Sequence, residues 1–181
     1  MKVFLTFLLM LFTITSAHAY KRSDYKIWSD FNKNCFNTRH ELLNNRAIIV
    51  TWIKNCNIMA GKWSDSYDGK VLTNLRLIDI DHVIPLYYAD THGLANEVKP
   101  AFGNDTDNLL ITSASNNRSK GSKSISQWHP NYPYLCKYAE IWQDIGSKYN
   151  LTFDKDDDVF IFKTLLECAA LESFINNSLH K

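Results

Sequence analysis

Four cysteines downstream of an apolar leader restrict what this chain can fold into more than any other feature: Cys35, Cys56, Cys136 and Cys168. Within residues 1–19, Lys2 is the only Lys, Arg, Asp or Glu, Val3 to Ser16 is almost wholly apolar, and Ala17-His18-Ala19 places small residues around a cleavable bond. That is the pattern of a secretory signal peptide over 1–19, with the mature chain expected to begin at Tyr20. The apolar run of about 14 residues falls short of the ~20 that a permanent membrane helix needs. The processed protein is therefore expected to leave the membrane and to be periplasmic or secreted. An even cysteine count in an exported chain reads as two disulfides, and sequence leaves all three pairings open; Cys35 with Cys56 and Cys136 with Cys168 is the expected set. Structural zinc is disfavoured, because no Cys-x-x-Cys pair exists and the spacings are wide.

The chain has 181 residues, of which 20–181 are expected to form one catalytic domain and, as partners go, a monomer. Charge gives no global signal for nucleic acid. The 20 Lys+Arg against 19 Asp+Glu become 19 against 19 once Lys2 is removed. Locally, Arg118, Lys120 and Lys123 form a short basic run with no acid among them.

The order of the pieces predicts an α+β fold. Residues 37–43 open like a short helix that Asn37 or Thr38 can cap. Ala47 to Ile53 and Cys56 to Trp63 are strand-like, and Asp68-Gly69 is a hairpin turn signal. Residues 75–81 alternate in polarity and deliver His82 at a strand end. An irregular loop is expected over 88–107, a strand over 108–112, and a helix from its cap Ser113 to Gly121. Helices are expected over 134–148 and 159–179, the second capped by Asp157 or Asp158, within a helical C-terminal region 133–181.

Asp81-His82, then Asp107-Asn108-Leu109-Leu110, then Asn117-Arg118-Ser119-Lys120 follow one another at informative spacing. In this order they resemble the HNH nucleases, the ββα-metal or His-Me finger enzymes, and the nuclease finger of RNA-guided DNA-cutting effectors. With Cys35-x-Asn37-Thr38-Arg39-x-Glu41-Leu42-Leu43, Gly61-Lys62-Trp63-x-Asp65-x-Tyr67-x-Gly69, Asp79 to Leu86 and Asn104-Asp105, the chain is similar to secreted bacterial HNH proteins related to the nuclease domain of GmrSD-type restriction enzymes. The resemblance covers most of 35–128. It implies a single domain whose ββα-metal finger, about 75–128, packs against flanking helices and a small antiparallel sheet, stapled by the disulfides.

The implied chemistry is hydrolysis of phosphodiester bonds in DNA, or RNA, with low sequence specificity. His82 is the expected general base, since imidazole with an ordinary pKa of about 6.5 is largely neutral at pH 7. Asp81 and Asn117 are the expected oxygen ligands of one divalent cation, Mg²⁺ with Mn²⁺ as substitute. The resemblance gives Asn108 a bracing role in the site, its carbonyl holding the His82 ring. Lys120 is expected to serve both catalysis and phosphate contact, alongside Arg118 and Lys123. Nucleic acid is thus the expected partner. The competing reading is a secreted, disulfide-stapled binding protein that does no chemistry.

Two further features carry less. Asp154 to Asp158 has acids at alternate positions like a calcium loop, but Val159 and Leu165 stand where such a loop needs Gly and Glu. Trp63, Tyr67, Tyr87 and Tyr88 have rings suited to stacking on bases, although aromatics near strands more often fill a core.

Overall fold

A short helix, α1 (Thr38–Asn45), begins where Asn37 leaves extended backbone and accepts a hydrogen bond from the His40 amide, so Asn37 rather than Thr38 is the cap. The computed structural model describes residues 19–132 and 134–179, and the signal-peptide reading of 1–19 lies outside them except for Ala19. After α1, β1 (Ile49–Lys54) and β2 (Asn57–Ser64) form an antiparallel hairpin, and β3 (Val71–Leu72) pairs with β2, Ser64 facing Val71. The Asp68-Gly69 turn joins β2 to β3, with Gly69 at φ 73°, a left-handed backbone that glycine adopts without a Cβ penalty. Asn55 and Cys56 make the β1–β2 turn with φ 47° and 58°, the paired positive values of a tight hairpin.

A second, two-stranded antiparallel sheet joins β4 (Ile78–His82) to β5 (Leu109–Ser113), in register from Ile78 opposite Ser113 to His82 opposite Leu109. Its side chains alternate as a strand must. Ile78, Ile80, Leu109 and Ile111 pack with Leu42, Leu43, Ile58 and Trp63, which leaves Asp79 and Asp81 for the other face. α4 (Ala114–Lys120) follows β5 directly, its start capped by Ser113 Oγ on the Asn116 amide and its end marked by Gly121 at φ 59°.

Three expectations need correction. Leu75–Leu77 is a 3₁₀ turn capped by Asn74, so the strand is shorter than its alternating pattern. The stretch 88–107 is not an irregular loop: α2 (Leu86–Thr91) and α3 (Lys99–Gly103) occupy it, with 3₁₀ turns at Asn96–Val98 and Thr106–Asn108. α2 and α3 have six and five residues, too few for a 3.6-residue period to show. Following α5 (Tyr134–Lys148), α6 (Lys155–Leu179) starts ahead of Val159, and Asp157 sits inside its first turn instead of capping it. The Asp157 carboxylate accepts from Ser124, Ser126 and Tyr88, which ties α6 to α2 and to the segment after α4.

Tyr25, Ile84, Leu86, Phe102, Tyr138 and Trp142 belong to the larger apolar core, which α2, α3 and α5 share. The chain is thus one α+β unit with small antiparallel sheets. Two disulfides, Cys35–Cys56 and Cys136–Cys168, match the expected pairing. Among the described residues no helix is long and apolar enough to cross a membrane.

Candidate functional site

A pocket of about 450 Å³ opens where β4 meets α4 and α2. Asp81, His82, Asn117 and Arg118 line it, so the structure gathers four of the sequence-chosen residues around one space. His82, at the end of β4, is only 5 % exposed. Its Nε2 lies 2.9 Å from the Gly103 carbonyl, which as an acceptor selects the tautomer with hydrogen on Nε2 and leaves the Nδ1 lone pair free. Burial holds the imidazole down at about 4, only partly offset by the Gly103 carbonyl, so His82 is neutral at pH 7.

Gly103 takes the part expected of Asn108. The Asn108 carbonyl instead accepts from the Val83 amide at 2.8 Å; its side-chain oxygen accepts from Ile84 N at 2.9 Å and its amide donates to Ile84 O at 3.2 Å. Fully buried, Asn108 thereby fixes the path of the chain as it leaves His82. It braces and does not reach the pocket.

Lys120 also lies beneath the pocket wall. Its side chain is 0 % exposed and its Nζ is shared between Asp81, at 3.0 and 3.3 Å from the two carboxylate oxygens, and the His82 carbonyl at 2.8 Å. In this arrangement it has no reach to a phosphate, and the phosphate-contact role does not fit it. Asp81 receives a second donor, the Tyr67 hydroxyl at 2.6 Å. Burial pushes Asp81 up and Lys120 down, each drawn back toward its charged form by the other. Tyr67 is held well above its ordinary value, first by burial and then by the Asp81 charge.

Asn117 donates its amide to Asp79 Oδ2 at 2.9 Å, which turns its carbonyl oxygen into the uncommitted end. Arg118 and Lys123 are exposed; Arg118 lines the pocket, whereas Lys123 lies outside it and donates to the Ser119 carbonyl at 2.6 Å. Of the rings considered for stacking, Trp63, Tyr67 and Tyr88 are buried, and Tyr87 alone is exposed, at the pocket.

Sequence reasoning missed several contributors. Buried Asp65 accepts from Thr112 Oγ1, the Ser113 amide and the Asn116 side chain, locking the β2–β3 turn to the start of α4. Tyr20 and Arg22 reach the pocket from the far N-terminal end of the described chain. No local pattern announces them, since only the fold brings them there. Lys120 did carry a signal: with Ala114 buried, positions 117 and 120 follow at helical spacing on the inward face.

No protein-family model matches the chain, and no solved structure matches it. It is 30 % identical over 163 residues, 87 % of this chain and 74 % of the other, to a protein of Arthroderma benhamiae described as an uncharacterized secreted protein. At that identity and coverage, the chain belongs to the same family as this secreted fungal protein.

Proposed function

We propose that the pocket is the active site of an exported, metal-dependent endonuclease of the HNH type, which hydrolyses phosphodiester bonds of DNA, or RNA, with low sequence specificity. The observation that carries the reading is the strand pair in register at His82 and Leu109, followed at once by α4, with Asp81, His82 and Asn117 lining one space. His82 Nδ1 takes the proton from the attacking water, and the Gly103 carbonyl holds the ring so that this nitrogen stays free. Arg118 faces the phosphate from the exposed surface of α4. The description of the fungal relative as secreted supports export of this chain, which is proposed to act as a monomer.

The donor set fits a hard divalent cation. Asp81 Oδ1 has only the longer contact with Lys120, and the Asn117 carbonyl oxygen is uncommitted. Among the described residues no three His, Cys, Asp or Glu side chains gather at one point, so water and phosphate oxygens would complete the shell, as suits Mg²⁺. Such a cation supplies Lewis acidity and steadies the departing oxygen.

One observation favours a second reading, a binding protein without chemistry: Lys120 already neutralises Asp81. Nicking of plasmid and cutting of single-stranded DNA and RNA, with Mg²⁺, with chelator, and by His82→Ala, decide between them. The nuclease reading expects Mg²⁺-dependent cleavage that falls ~10² to 10⁴-fold in His82→Ala. Absent cleavage of every one of these substrates by the folded parent, or an unchanged rate in the variant, would overturn it.

A further inference from the structure

The pocket has a wall that the catalytic reading does not use. Tyr25 anchors the N-terminal segment: it is fully buried and donates its hydroxyl to the Leu86 carbonyl at 2.9 Å and to Asp90 Oδ1 at 3.2 Å. Gly103 packs so close that a Cβ there would lie 2.6 Å from the Tyr25 carbonyl oxygen. Pinned to α2 and α3 in this way, the segment brings Tyr20 and Arg22 into the lining of the pocket. The Tyr20 ring meets Tyr87 edge-on, centroids 5.5 Å apart, and Tyr87 remains 51 % exposed. Arg22 is exposed, as is Arg118 across the same lining. Two guanidiniums and an exposed tyrosine braced by a second ring therefore share one space with a recessed histidine.

We infer that Tyr20, Arg22 and Tyr87 form a recognition wall for an unpaired nucleic-acid strand, Arg22 holding a phosphate and the Tyr87 face stacking on the neighbouring base. A base inside a duplex has both faces covered by its neighbours, so an aromatic face rewards only an unpaired one. A guanidinium offers the planar fork that phosphate oxygens accept. His82 and Asp81 lie at the bottom of the pocket with 5 % and 7 % exposure, and a flexible single strand can lower its backbone into such a recess more readily than a stiff duplex. The occupant's identity as nucleic acid rests on the nuclease reading, while the wall's part in binding is testable without cleavage.

The test is fluorescence anisotropy of a labelled oligothymidylate and of a hairpin duplex, in chelator, with the processed protein, Arg22→Gln and Tyr87→Ala. Both substituted side chains are exposed, and thermal melting of each variant checks that the fold is kept. The parent is expected to bind the single strand more tightly than the duplex, and Tyr87→Ala to weaken single-strand binding about tenfold. Arg22→Gln is expected to lower the slope of log affinity against log salt by about 0.7, the value of one phosphate contact on a single strand. A parent that prefers the duplex, or single-strand binding unchanged in both folded variants, overturns the inference. Binding as expected without Mg²⁺-dependent cutting upholds the wall and sinks only the nuclease reading.

Discussion

Removing the Lys120 ammonium leaves the Asp81 carboxylate buried with the Tyr67 hydroxyl as its remaining side-chain donor. One-sided breakage of a buried pair costs ~3 to 5 kcal/mol, so Lys120→Met is expected to lose about that amount in a denaturant melt. An unchanged midpoint would mean that Asp81 folds as a neutral acid. The buried imidazole of His82 leads to a second expectation. Its folded value near 4 lies below the ordinary 6.5, so between those limits the unfolded chain binds a proton that the folded chain refuses. This contribution to stability is complete above about pH 6.5 and is lost as pH falls toward 4. With His82 as the proposed base, the same shift keeps it unprotonated, so kcat/KM should stay level down to about pH 5 and drop only near 4; a midpoint at 6.5 would remove His82 from that role. Asn117→His replaces an amide oxygen with nitrogen and should move the metal preference from Mg²⁺ toward Ni²⁺, Co²⁺ or Zn²⁺, read from rates with each cation. Unaltered preference would take Asn117 out of the cation's reach.

Between elements, the least forgiving contact is α3 against the N-terminal segment. Gly103→Ala would drive a methyl into the Tyr25 carbonyl, and overpacking of this kind costs ~1 to 3 kcal/mol. Because the Gly103 carbonyl also holds His82 Nε2, and the same contact pins the segment that carries Tyr20 and Arg22, the substitution is expected to lower kcat and to weaken oligonucleotide binding as well; a loss confined to thermal stability would show that neither the ring nor the segment needs this brace. β4 and α4, which carry Asp81, His82, Asn117 and Arg118, were the most legible elements in the sequence. Ile78-Asp79-Ile80-Asp81 alternates strictly, and Ser113 with Gly121 brackets α4 in the residue types a helix start and end require. What surrounds them was not legible. α2 and α3 are too short to show a period, and the 3₁₀ turn at Leu75–Leu77 mimics a strand because two-residue alternation survives in it. Arg118 and Lys120 read alike as basic residues, yet one is exposed and the other has no exposed surface, because Lys120 turns inward to Asp81 and the His82 carbonyl on a strand distant in sequence.

For the molecule as a whole, the two crosslinks hold the flanks of the site, not the site itself. Cys35–Cys56 ties the segment ahead of α1 to the β1–β2 turn, and Cys136–Cys168 joins α5 to α6, while β4, β5 and α4 contain no cysteine. Each bridge is worth ~2 to 4 kcal/mol, against ~5 to 15 kcal/mol for the total stability of an ordinary domain. Reduction and alkylation are therefore expected to lower the melting temperature sharply and to abolish nicking together, so that a nuclease made beside a genome would stay inactive until oxidised. Full activity and an unshifted melt in the alkylated protein would assign host protection to export alone. The bridges also have an order. Their closed rings, 35 to 56 and 136 to 168, stand side by side along the chain, neither nested nor interlaced. In a polypeptide that emerges from a translocation channel amino end first, Cys56 arrives when Cys35 is its sole possible partner, and Cys168 arrives when only Cys136 is still unpaired. An oxidant that joins each new thiol to the one waiting makes both native pairs at the first attempt, with no reshuffling step.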